Sequence, residues 1–77
     1  MPKVKIYSTP TCVYCQTLKT FLKEKGIEFE DLDVSIDEKA REEMIEKTGQ
    51  MGVPVTDIDG EIVIGFDKEK ISKLLNL

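Results

Sequence analysis

The chain changes its hydrophobic period twice within its first 34 residues. Lys3-Val4-Lys5-Ile6-Tyr7 alternates polar and apolar, the period-two pattern of a strand. Ser8-Thr9-Pro10-Thr11 breaks it. Cys15, Leu18, Phe21 and Leu22 then recur at three- and four-residue steps, which predicts a helix with one buried face. Thr11 is the expected N-cap, and Lys23, Lys25 and Gly26 suit a C-terminus. Ile27 to Val34 reads as a second strand with imperfect alternation. A strand, a helix and a strand this close together form a parallel βαβ unit, which ties both strands into one sheet with the helix across a face.

The rest of the chain extends that sheet. Ser35 or Asp37 opens a second helix, Glu38 to about Lys47, with Ala40, Met44 and Ile45 on its buried side. Thr48 to Gly52 reads as a loop. Val53 to Asp57 is the third strand, Asp59-Gly60 is a strong hairpin-turn signal, and Glu61 to Ile64 is the fourth. Gly65-Phe66 leads to a last helix, Lys68 to Leu75, with Ile71, Leu74 and Leu75 facing inward. The order is βαβ-α-ββα: an α/β fold with a four-stranded mixed sheet flanked by three helices. The helical link between strands two and three can carry strand three past strand one, which leaves strand one in the centre. Residues 1–77 fit one domain and no more.

Composition narrows the function. The chain has 11 basic and 15 acidic residues, a net charge of −4. It shows no basic stripe, which argues against nucleic acid as a partner. Its apolar runs are far shorter than a membrane span. Met1-Pro2-Lys3-Val4-Lys5 lacks the apolar region of a signal peptide. The expected compartment is the cytoplasm, where thiols stay reduced.

The two cysteines stand three positions apart, as Cys12-Val13-Tyr14-Cys15. A bond between them closes a very short loop and removes little unfolded-chain entropy, so the pair is badly placed as a staple. Cys12 follows a strand and opens a helix, where unpartnered N–H groups and the macrodipole favour a thiolate. Cys15 lies one turn deeper on the same face. That spacing supplies an attacking thiol and a resolving thiol. Two other readings compete. A structural zinc wants about four ligands, and two cysteines with no histidine supply them only across a dimer, as would a shared iron–sulfur cluster. Inert core cysteines are the other. The position on a strand-to-helix turn of a βαβ pattern favours redox chemistry.

Pro54 at the head of strand three reads as a strand start, because proline has no N–H for a ladder. Its second reading is a cis proline beside the cysteines, leaving the Val53 backbone to pair with an extended substrate. Phe21, Leu22 and Phe29 read as core, and Met44 and Met51 as packing. Tyr7 reads as a strand residue. Lys47 and Gln50 read as solvated surface.

Tyr7-Ser8-Thr9-Pro10-Thr11-Cys12-Val13-Tyr14-Cys15, Gly49-Gln50-Met51-Gly52-Val53-Pro54-Val55 and Gly65-Phe66-Asp67 together resemble the glutaredoxin family of the thioredoxin fold. The resemblance covers nearly the whole chain. It implies a thiol–disulfide oxidoreductase with Cys12 as nucleophile, Cys15 as resolving thiol and Pro54 in cis. It also implies a substrate groove lined by Thr11, Tyr14, Val53, Pro54, Gly65, Phe66 and Asp67. The last helix's N-terminus would face a bound carboxylate. No bound cofactor is implied; the redox centre would be a Cys12–Cys15 disulfide.

Three positions depart from the usual glutaredoxin pattern. Val13 replaces a proline, Thr9 a lysine that binds a glutathione carboxylate, and Phe66 the second glycine of a Gly-Gly pair. These features look closer to the short glutaredoxin-like redoxins that donate electrons to ribonucleotide reductase. The implied partners are disulfide-containing proteins, ribonucleotide reductase among them. The electron source is a thioredoxin-type reductase or glutathione, and the expected state is a monomer.

Overall fold

The computed structural model describes residues 3–50 and 52–77. Met51, expected to pack in its loop, lies outside the described residues. The elements run β1 Val4–Ser8, α1 Val13–Glu24, β2 Glu30–Asp33, α2 Glu38–Thr48, β3 Val55–Ile58, β4 Glu61–Ile64 and α3 Lys68–Leu75. They form one four-stranded sheet in the order β2-β1-β3-β4. β1 pairs in parallel with β2, and the other two pairings are antiparallel. Strand one lies between β2 and β3, the order the helical link between strands two and three allows.

The two faces of the sheet follow the alternation along β1. Val4 and Ile6 join Leu18, Phe21 and Leu22 of α1 and Ile71 and Leu75 of α3 in one buried cluster. Tyr7 joins Val34, Ala40 and Met44 under α2 in a second. Each fully buried aliphatic side chain here contributes about 2 kcal/mol. Helices α1 and α3 therefore cover one face, and α2 the other.

Three strands are bounded differently from expectation. Ser8 extends β1 rather than breaking it, because its backbone stays in the ladder opposite Asp33. β2 is confined to Glu30–Asp33, the stretch that lies beside β1; Ile27 and Phe29 pack against the core from outside the ladder. β3 begins at Val55, after Pro54, since a proline cannot donate to the ladder.

The helix and turn signals translate into specific bonds. Asp37 caps α2 through an Oδ1 contact with the Ala40 N–H at 3.0 Å. At the hairpin, Asp59 and Gly60 both take positive φ, 50° and 92°, as a two-residue turn between twisted strands requires. Asp57 Oδ1 accepts the Gly60 N–H at 2.8 Å and holds the turn closed.

Candidate redox site

The cysteine motif begins where β1 ends. The chain turns over Pro10 and Thr11, closed by a Cys12 N–H to Thr9 carbonyl bond of 3.3 Å. This turn consumes Thr11, so the cap falls one residue later than expected. Cys12 itself is the N-cap of α1, and its Sγ accepts the Cys15 N–H at 3.1 Å. Thr11 is exposed just outside the helix. Val13 occupies the first helical position, which proline favours.

The two thiols differ in surroundings. Cys12 is half-buried and Cys15 is fully buried, and both are free thiols. Burial, followed by the hydrogen bond with Cys12, pushes the Cys15 thiol up to about 11. The alkylation pattern should follow. Iodoacetamide at neutral pH adds one group, on Cys12, and a second group appears on Cys15 only as the pH approaches 11 or the chain unfolds. Mass spectrometry of the intact and digested protein checks this; equal labelling of both at neutral pH would contradict it.

The other expected groove residues reach the same end of the sheet. Tyr7 pairs with Val55, so the head of β3 lies beside the tail of β1. The Val53–Pro54 bond is cis. Pro54 is buried and Val53 is half-buried. Among the described residues Val53 makes no backbone hydrogen bond. Gly65 ties the tail of β4 to this loop by donating its N–H to the Pro54 carbonyl at 2.8 Å. Its φ of 78° lies in the left-handed region, where a side chain is strained.

Phe66 packs inward, edge-on to Phe21 with ring centroids 5.9 Å apart. With Val13, Thr17 and Lys68 it lines a shallow groove of about 450 Å3 along α1. Asp67 caps α3 by accepting the Lys70 N–H at 3.1 Å. The chain's own carboxylate thus holds part of the helix end expected to meet a ligand carboxylate. Tyr14 and Val13 project from the motif, 68% and 74% exposed.

Two polar clusters were missed or misread from sequence. On the α2 face, Lys47 is no solvated lysine. Its Nζ bonds Asp57 at 2.6 Å, Glu43 at 3.1 Å and the Tyr7 hydroxyl at 3.1 Å. Tyr7 in turn donates to Glu43 at 2.7 Å. Burial opposes the charge on Lys47, yet its bonds to Asp57, Tyr7 and Glu43 outweigh this and hold it above the ordinary lysine range. The Tyr7 and Lys47 bonds hold Glu43 down at about 2. The Glu43 and Lys47 spacing of four was the available signal. On the α1 face, Lys19 Nζ meets Asp31 Oδ2 at 2.8 Å, and the buried Ser8 hydroxyl donates to Asp31 Oδ1 at 2.9 Å. No local spacing marks that cluster, because its members come from α1, β1 and β2.

Among the described residues, no group of three or more Cys, Asp or Glu side chains is placed to hold a metal ion. Nor is any helix among them long and apolar enough to cross a membrane.

A pair of cysteines on a strand-to-helix turn, with a cis proline at the same end of a four-stranded mixed sheet, is the arrangement of a thioredoxin-like redox protein. The glutaredoxin family model matches residues 4–63. A glutaredoxin-like 8.6 kDa protein in the rubredoxin operon of Clostridium pasteurianum is 53% identical over 72 residues, 94% of this chain and 96% of that one. Among solved structures, a mutant form of a thioredoxin-like protein superposes with a TM-score of 0.92 at 38% identity, covering 99% of this chain and 97% of that one. The glutaredoxin-like NrdH-redoxin from Escherichia coli, described as having a thioredoxin-like activity profile, superposes at 0.81 with 26% identity, covering 94% and 93%. The chain belongs to the glutaredoxin family, whose general reaction is thiol–disulfide exchange.

Proposed function

We propose that this chain is a dithiol electron carrier that reduces disulfides of proteins. The observation that carries the reading is the asymmetry of the pair: Cys12 half-exposed at a helix start, Cys15 buried one turn deeper. Cys12 thiolate attacks a substrate disulfide, forming a Cys12–substrate bond and releasing one substrate thiolate. Cys15 thiolate then attacks Cys12 Sγ and releases the second. The chain ends oxidised by two electrons as a Cys12–Cys15 disulfide, and the substrate gains them. A separate reductase restores the dithiol, and no bound cofactor takes part.

A protein substrate is favoured by the apolar surface at this end of the sheet. Val13, Tyr14, Ile36 and Ile64 are exposed large apolar side chains, and all four lie at or just beyond the tails of β1, β2 and β4. A partner covering them gains burial that glutathione is too small to match. An extended partner segment pairs with the open backbone of Val53. Ribonucleotide reductase is one such partner.

For the electron source we favour a thioredoxin-type reductase. The inward packing of Phe66, the Asp67 cap and the absence of a lysine at position 9 leave a glutathione carboxylate few donors. NADPH oxidation coupled to insulin disulfide reduction tests the choice. Thioredoxin reductase should support turnover at least about tenfold faster than glutathione with its reductase, a difference of about 1.4 kcal/mol in the barrier. Faster turnover with glutathione would reverse the assignment.

A further inference from the structure

We infer that Lys19, held by an Asp31 that Ser8 in turn anchors, is a positioning residue for the resolving step, its charge set on the face of the buried Cys15 to favour the thiolate that attacks Cys12. This rests on the dithiol reading above. The problem it addresses is specific. Cys15 has no exposure to solvent, yet it must lose its proton to act. A buried thiolate needs an opposite charge or donor nearby.

The geometry supplies one. Cys15 and Lys19 are four residues apart on α1 and share a face. The Lys19 side chain is only 15% exposed, unusually low for a lysine whose partner, Asp31, is 46% exposed. Ion pairing alone does not require that burial, because Asp31 could be met from solvent. The arrangement is fixed from beneath. Asp31 lies opposite Ile6 on β1, on the α1 face, and Ser8 on that same face donates to it from a fully buried position.

The groups acting on Cys15 come from three sides. Burial raises its pKa most, followed by Cys12, while a backbone hydrogen bond from Thr9 and, to a smaller extent, the charge of Lys19 lower it. From β2, Asp31 acts through Lys19, which it holds. In the mixed disulfide the Cys12 sulfur is no longer ionisable, which leaves Thr9 and Lys19 as the groups favouring the thiolate. The step balances simply. The Cys15 proton leaves to solvent, the Cys15–Cys12 bond forms, the Cys12–substrate bond breaks, and the departing thiolate takes the electron pair.

The test uses dithiobis(nitrobenzoate), whose released thiolate is coloured, in stopped flow with the full chain. Two phases are expected, one chromophore for Cys12 attack and one for Cys15 resolution. In Lys19→Gln the thiolate fraction of Cys15 falls about tenfold while its intrinsic nucleophilicity rises. The net result is a second phase about threefold slower at neutral pH, with its pH profile displaced to the alkaline side. Lys19→Arg restores it. Asp31→Asn, which removes the carboxylate that holds Lys19, slows the second phase in the same direction. Slowing in Lys19→Gln that Lys19→Arg reverses, with the pH profile returned, supports the inference. A second phase unchanged in Lys19→Gln, or slowed equally in Lys19→Gln and Lys19→Arg as loosened packing would do, overturns it and leaves the dithiol reading standing. A missing first phase in the parent chain would instead sink the dithiol reading, and the inference with it.

Discussion

Cys12→Ser loses disulfide reductase activity by about three orders of magnitude or more, because a serine hydroxyl supplies no thiolate for the exchange. Cys15→Ser behaves differently. It retains the attacking sulfur but lacks the one that releases substrate, so it accumulates as a mixed disulfide with its protein substrate. Non-reducing electrophoresis of the two variants, each incubated with oxidised substrate, separates the roles. An adduct with Cys15→Ser and none with Cys12→Ser matches the buried and half-exposed placement of the two sulfurs. Adducts through Cys15 would reverse the assignment. Neither variant should unfold, since the cysteines carry no long-range crosslink.

The second large effect lies on the opposite face of the sheet. Lys47→Ala leaves Asp57, whose side chain is only 12% exposed, without its closest cation, and Tyr7 and Glu43 without a shared donor. Breaking such a pair costs about 3 kcal/mol. For a domain of this size that lowers Tm by roughly 15 °C. The pH dependence identifies the cause. Glu43 sits at about 2 in the folded chain against an ordinary 4.5, and Asp57 is held low as well: burial opposes its charge, but the bonds from Lys47 and Gly60 prevail. Depressed carboxylates stabilise above their unfolded values, and that contribution drains away as the pH falls from about 4.5 towards 2. Lys47 works with the opposite sign, and its contribution is lost only above the ordinary lysine range. Urea titrations of parent and variant should therefore differ most near neutrality and converge towards pH 2. A constant gap across that range would assign the effect to lost packing.

The segments that sequence reading places best have chemical punctuation at their ends. Asp37 supplies the side-chain acceptor that caps α2, and Asp59-Gly60 takes the positive φ the hairpin turn needs, so the helix start and the turn fall where expected. The sheet order followed from the βαβ connection and the hairpin. The first cap was misplaced because threonine is the better acceptor by type, whereas the Thr9-to-Cys12 turn spends Thr11 and gives the cap to a sulfur. Lys47 was misread for another reason. A lysine on a charged helix looks solvated until the fold brings Asp57, ten residues away, beneath it. Lys19 and Asp31 fail the same way: each is ordinary in its own segment, and only the pairing of β2 with β1 puts Asp31 on the α1 face. Alternation locates faces, but which charges meet across elements depends on register.

The placement of the cysteine pair was legible because its surroundings are local: a strand end, a helix start and a spacing of three. The most direct test of its role is the mass of the chain after it has met an excess of disulfide substrate under anaerobic conditions. The dithiol account predicts loss of two hydrogens, with Cys12 and Cys15 bonded to each other in the digested peptide and no adduct persisting. Two free thiols after substrate has been reduced, or a disulfide only between two copies of the chain, would contradict it.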